Sequence, residues 1–421
     1  MSRRAVALIA AVLAGLALAP TAAEAKTVRV KSEAGFAKAV RKFRHSGGTI
    51  VLRPQLYQRL VIPPRRTTKE LRILGTPGAR VGDVVFDRTQ HVSFGRVRIG
   101  PVRGDALVEV NGSHHILLHD LFVSAAGSRY SASILLPDSR HVTIRHSRFT
   151  HCGDHSWEFV NCITFYRWSH HTTIEDSVFA DCRGCDFING RFGTYLTIRR
   201  NRFDRALPCR KMGNYRCGHN DLVQLFAGRF LRISGNRFGV YKAGGAQLYL
   251  TNNVDYATIV NNVFVGTDPR VPNYRAKMGI VIGANRSTRL PHYVKVLNNT
   301  ILTGARRKDG YAGSIRMSSR YSTVKRWKRP IIANNIIGLL EMPARVCNGA
   351  QRFVANLVVR GRGCSKKDYI GPVGVDWLGR PKRDSVVIDG ANRHFAPRVD
   401  ATGRRRTGHP DIGALEYRGR S

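Results

Sequence analysis

A short apolar motif recurs along the chain and limits the folds that the chain can adopt. The hexapeptide ISGNRF at 233–238 has seven relatives. They are LLHDLF (117–122), IRHSRF (144–149), IEDSVF (174–179), IRRNRF (198–203), IVNNVF (259–264), VLNNTI (296–301) and IANNII (332–337). Helical-hairpin repeats would keep a tighter period, but the last residues of these units lie 24 to 37 positions apart. Because the units alternate β-branched or aromatic residues with turn residues, each predicts one coil of short strands and turns.

Asparagine dominates one position of this motif, two residues before its end. The residues there are Asp120, Ser147, Ser177, Asn201, Asn236, Asn262, Asn299 and Asn335. Asparagine tolerates the left-handed backbone region, so it suits a sharp bend. Coils stacked at the strand spacing of about 4.8 Å would also let these side chains bond one another as a ladder. We therefore assign this position to turns rather than to chemistry.

An amphipathic helix is predicted before the first repeat. The segment SEAGFAKAVRKF at 32–43 begins with Ser32, a good N-cap residue. Phe36, Val40 and Phe43 fall on one face of a helix in this segment. The helix is followed by GGTIVLRPQLY, which has the character of a strand.

With these elements the chain resembles the right-handed parallel β-helix proteins of the pectate-lyase-like superfamily. The ending GHPDIGALEY at 408–417 is similar to the terminal segment of many bacterial members. The resemblance implies an all-β fold, a single-stranded right-handed parallel β-helix with a capping helix at about 32–44 and an irregular C-terminal segment at about 365–421. It leaves function open, because this architecture carries lyases, hydrolases, epimerases and binding proteins.

The start of the chain predicts export. Residues 1–25 combine a short basic beginning, a brief apolar core and the small-residue ending Ala23-Glu24-Ala25, which is typical of a cleaved secretory signal. The β-helix domain is then 26–421. Since no other long apolar stretch occurs, we expect a secreted or cell-envelope monomer without membrane insertion.

Eight cysteines fit an exported protein held by disulfides rather than a zinc site. Counting from the repeats stacks two pairs on adjacent coils, and two more pairs would close local loops. The expected pairs are Cys152–Cys182, Cys162–Cys185, Cys209–Cys217 and Cys347–Cys364. Local pairing of Cys182 with Cys185 is the competing interpretation.

The formal net charge of +41 favours a polyanionic partner. The basic residues are spread along the chain, so a compositional bias toward arginine is an alternative explanation. No nucleic-acid-binding module is recognisable, and export removes the usual opportunity for such a partner. We therefore expect an acidic polysaccharide.

Two carboxylates are predicted to stand on successive coils. Counting back 12 residues from the repeat isoleucines gives Asp186 and Asp221, about 5 Å apart at the backbone. Such a pair could serve as acid and base in glycoside hydrolysis, or could bind calcium and neutralise a uronate. In a lyase, a nearby base would then remove the proton beside the carboxylate. Alternatively, both residues are turn aspartates that bond backbone amides.

The candidate base and the substrate-binding residues lie near this pair. His219 is the third catalytic candidate, with an ordinary surface or turn role as its alternative. The candidate bases are His219, Lys211, Arg191 and Tyr249. Adjacent arginines would grip carboxylate or sulfate groups, unless they are plain solvated surface. The expected substrate-binding residues are Arg167, Arg191, Lys211, Gln224 and Tyr249.

The sequence does not decide which side chains of this region face outward. Gln224 stands in one column with Asn189, three residues after the acidic column. Simple alternation would place these amides inward and the Asp pair outward, unless the strand bends between them.

The polygalacturonase-type signatures are absent, and no calcium-dependent pectate lyase signature is recognisable either. We therefore expect a polysaccharide lyase acting by β-elimination at uronic acids, with a non-catalytic glycan-binding or surface protein as the alternative and an Asp-pair glycoside hydrolase as the third hypothesis.

Overall fold

The structure is a computed structural model. It describes residues 26–100, 106–124, 132–152, 161–166, 168–207, 221–241, 245–270, 276, 278–283, 291–303, 313–318, 330–341, 352–360 and 363–419. The predicted secretory signal lies outside these residues.

The described chain winds into a right-handed parallel β-helix with two long parallel sheets. Each strand pairs with the equivalent strand of the next coil. The first sheet contains thirteen of the described strands. They are Thr27–Val30, Gly48–Leu52, Leu71–Gly75, Gln90–Gly95, His114–His119, Arg140–Arg145, His170–Glu175, Thr197–Arg199, Arg232–Ser234, Thr258–Val260, Lys295–Leu297, Ile331–Ala333 and Arg352–Val354.

The second sheet contains twenty-one of the described strands and has two faces that meet at an edge. The short-strand face comprises Arg98–Ile99, Phe122–Ser124, Arg148–Thr150, Val178–Ala180, Arg202–Phe203, Arg237–Phe238, Val263–Phe264, Thr300–Ile301, Leu357–Arg360 and Tyr369–Ile370. The long-strand face comprises Leu56–Ile62, Arg80–Asp87, Ala106–Asn111, Ala132–Pro137, Asn161–Tyr166, Ile188–Arg191, Val223–Phe226, Ala246–Thr251, Met278–Gly283 and Gly313–Ser318. Ile336–Glu341 pairs with strands of both faces. Cys182–Arg183 and Ala206–Leu207 form a separate two-stranded sheet.

The helix Glu33–Lys42 closes the N-terminal end of the β-helix, as predicted. Ser32 Oγ accepts a hydrogen bond from the Gly35 N–H at 3.0 Å and so caps the helix. The apolar face of the helix, with Phe36 and Val40, is buried over the first coils. Across the described ranges, no helix has the length and apolar character needed to cross a membrane.

A column of phenylalanine rings fills the interior. The inward residue of each short strand stacks on its equivalent in the next coil, with ring centroids 4.4 to 5.0 Å apart. These rings belong to Phe149, Phe179, Phe203, Phe238 and Phe264. All five are fully buried, and each such ring contributes about 1.5–3 kcal/mol of transfer free energy. The repeated Phe of the sequence motif is therefore the core residue of each coil.

The LLHDLF unit is aligned one residue wrongly in the sequence prediction. Val123, not Phe122, pairs with Phe149 and points inward. Leu121, rather than Asp120, consequently takes the turn position of this coil. Because Leu121, Phe122 and Val123 are consecutive apolar residues, the sequence does not show which of them faces the core.

An asparagine ladder runs inside the turn between the first sheet and the short-strand face. Each ladder oxygen accepts the backbone N–H of the ladder residue one coil earlier, at 2.9 to 3.1 Å. From Asn201 onward, each amide nitrogen also donates to the next ladder oxygen at 2.9 to 3.1 Å. The members are Ser147, Ser177, Asn201, Asn236, Asn262, Asn299, Asn335, Asn356 and Asp368. The predicted ladder is thus present and extends two coils beyond the residues that the motif identified.

The left-handed backbone of this turn belongs to the preceding residue. Asn261, Asn298 and Asn334 have φ of 56°, 47° and 58°, whereas the ladder asparagines do not have positive φ. The second asparagine of each Asn-Asn pair therefore bonds the next coil, and the first makes the bend.

The chain after Ile370 packs along the late coils without forming a further described strand. Its buried Arg406 binds Glu416 at 2.6 Å, and both side chains are only 3% exposed. Arg406 also donates to Asn261 Oδ1 at 3.2 Å. Because Asn261 is a turn residue of the β-helix, this contact fastens the C-terminal segment to the coils.

The described cysteines beside the long-strand face pair locally. Disulfides join Cys152 to Cys162 and Cys182 to Cys185, with Cα separations of 5.3 and 6.0 Å. The expected pairs Cys152–Cys182 and Cys162–Cys185 are therefore wrong, and the competing local pair is the one that forms.

The register explains why Cys162 and Cys185 do not pair. Ile163 pairs with Ile188, so the position beside Cys162 belongs to Phe187, and Cys185 lies two residues earlier. Cys152 and Cys182 are level with each other, since Thr150 pairs with Ala180, yet each bonds its local partner. Cys364 is disulfide-bonded. Its expected partner Cys347, like the expected pair Cys209–Cys217, lies outside the described residues.

We predict that Asn236→Ala lowers the free energy of unfolding by about 3 kcal/mol, because it removes several buried hydrogen bonds of the ladder. Asn236→Ser should cost roughly half as much, since Ser177 occupies the same position and its Oγ accepts the backbone N–H of Ser147. Urea unfolding measures both values. Equal stability of the Ala variant and the unmodified chain would contradict a stabilising ladder.

Candidate functional site

The outward side of the long-strand face carries a column of polar side chains. Asn189 pairs with Gln224, and Gln224 pairs with Tyr249, so the three side chains lie on successive coils. Thr164 precedes them in the same column. Asn189 and Tyr249 are half-buried and Gln224 is 8% exposed. The predicted amide column exists, and Tyr249 extends it.

Strand alternation fixes which residues face outward. Ile188 and Gly190 point into the core on either side of Asn189. Gly190 is required here because a Cβ would lie 2.0 Å from the ring of Phe165 on the previous coil. The ring of Phe165 therefore fills the core beneath Asn189 and Arg191.

Arg191 is exposed at the end of its strand, two residues after Asn189. Its guanidinium lies over the ring of Phe226 on the next coil, 5.3 Å from the centroid. This cation–π contact holds the charged group over the face rather than leaving it to sample solvent.

The neighbour of Arg191 on the previous coil follows from the strand register. Phe165 pairs with Gly190, so Tyr166 is the described residue that comes next to Arg191. Arg167 lies outside the described residues, and the expected pair of adjacent arginines stays a prediction.

Asp186 and Asp221 do stand on successive coils, as predicted, but they are buried. Their exposed fractions are 4% and 2%. Asp186 Oδ1 accepts the N–H of Asp221 at 2.8 Å, and Asp221 Oδ1 accepts the N–H of Ala246. Asn161 Oδ1 accepts the N–H of Asp186 at 3.2 Å and begins this second ladder. The carboxylates join the starts of the long strands on successive coils. The amides of Asn189 and Gln224, three residues later, face outward.

Hydrogen bonds connect this buried ladder to the surface column. Asn189 Nδ2 donates to Asp186 Oδ2 at 2.8 Å and to Gln224 Oε1 at 3.1 Å. Asp186 thereby fixes the orientation of the Asn189 amide, and Asn189 fixes that of Gln224. This makes Asp186 a positioning residue for the outward column.

The surroundings of the two carboxylates do not fit a calcium site. Calcium takes six to eight oxygen ligands at about 2.3–2.6 Å. Here one oxygen of each carboxylate already accepts a backbone N–H, and Asp186 Oδ2 accepts from Asn189. Asp186 and Asp221 are therefore hydrogen-bond acceptors here rather than suitable calcium ligands. His219 and Lys211 lie outside the described residues, and their roles stay predictions.

Comparison with known families agrees with this architecture. A family model described as a right-handed β-helix region matches residues 84–301. The chain belongs to this right-handed β-helix family. No curated protein matches the chain.

Solved structures share the fold of this family member at low sequence identity. A mannuronic acid-specific polysaccharide family 6 lyase from human gut microbiota has a TM-score of 0.55 and 13% identity, covering 83% of this chain and 92% of its own. XylC in complex with xylose has a TM-score of 0.54 and 9% identity, covering 89% and 94%. The surface adhesin PfbA of Streptococcus pneumoniae has a TM-score of 0.48 and 11% identity, covering 78% and 80%.

Sequence reasoning missed a histidine cluster on this β-helix protein. Histidines follow a buried serine in three successive units, SHHI at 113–116, SRHV at 139–142 and SHHT at 169–172, and this repeated offset was the available signal. Burial lowers the pKa of His141 and His170, and neighbouring imidazoles and Arg140 lower it further. Both effects favour the neutral form of these rings.

We predict that Asp221→Asn keeps the free energy of unfolding within about 1 kcal/mol of the unmodified chain, because an amide oxygen can still accept the Ala246 N–H as Asn161 Oδ1 accepts that of Asp186. Asp221→Ala leaves that buried N–H without its partner and should cost about 2–3 kcal/mol. Urea unfolding tests this, with Asp204→Ala as a control at a more exposed aspartate paired with Arg202. An Asp221→Ala variant as stable as this control would exclude the second ladder as a stabilising element.

Proposed function

We propose that this chain binds an acidic polysaccharide along the outward side of the long-strand face and cleaves it by β-elimination. The observation that carries the proposal is the strip formed by Asn189, Gln224, Tyr249 and Arg191, in which fixed hydrogen-bonding groups stand beside an exposed guanidinium.

The spacing of this strip suits a polymer. Equivalent residues of parallel strands are about 4.8 Å apart, so the column offers a new side chain at each coil along one line. A linear glycan lying across the coils would meet amide, phenol and guanidinium groups in turn. Asn189 and Gln224 would bind hydroxyl groups with little loss of side-chain entropy, because Asp186 and each other already hold them.

Charge supports an acidic rather than a neutral ligand. The chain has 69 Lys and Arg against 28 Asp and Glu. A field of this sign raises the local concentration of polyanions and speeds their association. At the strip itself, Arg191 offers paired N–H donors that match the two oxygens of a carboxylate.

The proposed chemistry requires a neutralised carboxylate and a base. Arg191 would pair with the uronate carboxylate and thereby acidify the neighbouring C–H. A base then removes this proton, and the C–H electron pair forms a C=C double bond with the next carbon. The glycosidic C–O bond on that carbon breaks, and the departing oxygen takes up a proton to become a hydroxyl group. Tyr249 is the described residue of the strip suited to proton transfer, and His219 and Lys211 remain candidate bases.

The structural neighbours support a carbohydrate ligand for this fold. One is a mannuronic acid-specific polysaccharide lyase, and another was solved in complex with xylose. Export, expected from residues 1–25, would place the protein where such glycans occur. The burial of Asp186 and Asp221 removes the main support for the Asp-pair hydrolase.

The test is ultraviolet absorbance during incubation of the purified protein with uronic and sulfated glycans. Absorbance by the unsaturated sugar should rise with at least one uronic glycan. We predict that Arg191→Ala and Tyr249→Phe each lower this rate by about 10²-fold, the usual scale for losing one group that acts on a proton or charge in the transition state.

Matched control variants lie outside the strip. Arg232 is an exposed arginine on the strand Arg232–Ser234, and Tyr256 is an exposed tyrosine in a ring stack away from the strip. Arg232→Ala and Tyr256→Phe should leave the rate unchanged. Equal losses in the control and strip variants would place the site elsewhere.

A non-catalytic glycan-binding role is the second candidate. It predicts that the protein binds a glycan, that Arg191→Ala weakens this binding, and that no absorbance develops. New reducing ends without absorbance would instead show hydrolysis and would refute the lyase proposal.

A further inference from the structure

Six histidines gather at the corner where the long-strand face turns into the first sheet. They are His91, His114, His115, His141, His170 and His171. They come from four successive coils, since His114 pairs with Arg140, and Arg140 pairs with His170. The corner lies outside the strip of the proposed function.

The outer histidines form part of a continuous ring stack. Successive centroids along the column are 4.5 to 5.1 Å apart. The column consists of His91, His115, His141, His171, Tyr195, Phe230, Tyr256 and Tyr293. All eight residues have φ between 52° and 56°. The same left-handed backbone on each coil therefore aims every ring in the same direction.

This stacking decides what the column can bind. A sugar packs on the face of an aromatic ring, but here the neighbouring rings cover those faces. Only ring edges remain accessible along the column. On the tyrosine and phenylalanine part these edges are mainly C–H groups, whereas on the histidine part they carry nitrogen donors and acceptors.

Inner histidines bring a second set of nitrogens to these edges. His170 Nδ1 lies 2.7 Å from His171 Nδ1, and His114 Nδ1 lies 2.8 Å from His115 Nδ1. Such an approach needs a proton on one nitrogen pointing at the lone pair of the other. If a metal ion replaces that proton, both lone pairs are already directed into one space.

We propose that His141, His170 and His171 bind a divalent transition-metal ion, with zinc as the best match. Their ligand nitrogens all lie within 4.8 Å of one another. Zinc takes imidazole nitrogens at about 2.0–2.1 Å, so ligand nitrogens in a tetrahedral site are roughly 3.3 Å apart. Small rotations of the rings, which are partly or fully exposed, bring the three nitrogens to this spacing. Water would complete the tetrahedron.

The positive charge of Arg140 weakens cation binding at this site. Arg140 lies on the coil between His114 and His170 and pairs with both, so its guanidinium repels a cation there. On the coil after His170 the equivalent residue is Thr194. Threonine therefore fits this position of the corner, and Arg140→Thr would remove the charge without introducing a residue that the corner does not already hold.

The first experiment titrates zinc into the protein, purified without a histidine tag, by competition with a chromophoric chelator. We expect one ion per chain. His141→Phe with His171→Phe should weaken binding at least tenfold, while the unfolding midpoint stays unchanged because Phe230 shows that phenylalanine fits this backbone and stack. Cobalt substitution should give the intense visible bands of a tetrahedral site, and the double variant should lose them.

A matched control uses the same stack two coils earlier. His91→Phe with His115→Phe changes the same number of stacked imidazoles and should leave zinc affinity within twofold. Equal weakening by the two double variants would show diffuse binding to surface histidines and would overturn the site, as would absence of zinc binding by the unmodified protein.

A gain of affinity provides a second test that a structural defect cannot imitate. Arg140→Thr removes one positive charge from beside the site and should tighten zinc binding about fivefold. Unchanged or weaker binding by this variant would contradict an ion held at His141, His170 and His171.

Discussion

The stacking of the coils depends on hydrogen-bond acceptors in the side chains of the turns. These side chains bond backbone N–H groups that the β-sheets do not pair. At each bend the strand pairing stops, but the next coil lies about 4.8 Å away and water is excluded. The oxygen of Asn236 accepts the N–H of Asn201, and this pattern repeats from coil to coil. Asp186 and Asp221 likewise accept backbone N–H groups of the next coil where the long strands begin. Two polar ladders thus run beside the apolar core.

Regular stacking turns single residues into rows. Once equivalent positions are held one strand spacing apart, every outward side chain has a partner above and below it. The amide strip with Asn189 and Gln224 and the ring stack through His141 and His171 both arise in this way. Neither is visible as a local cluster in the sequence, because consecutive members are separated by a whole coil. Both binding sites that we propose for this chain are therefore rows of stacked residues rather than loops.

Much of the fold could be predicted from short-range signals. Ser32 and the apolar face of 32–43 marked the helix, and the repeated Phe marked the core of each coil. Errors arose where a shift of one or two residues decided the outcome. Val123 rather than Phe122 faces the core, and Cys162 stands beside Phe187 rather than Cys185. The length of the chain between coils varies, so counting residues across it does not preserve register.

The sequence by itself determined the solenoid, its capping helix, its asparagine ladder and its strongly basic character, because each follows from a pattern that recurs within a few residues or from composition. Only the tertiary structure decided which side of each strand is buried and which cysteines meet. It placed Asp186 and Asp221 inside and Asn189 and Gln224 outside, and it brought His141 to His170 and His171. The physical reason is that coil-to-coil register is set by core packing and backbone hydrogen bonds between residues some 24 to 37 positions apart, and a shift of one position reverses the direction of every side chain in a strand.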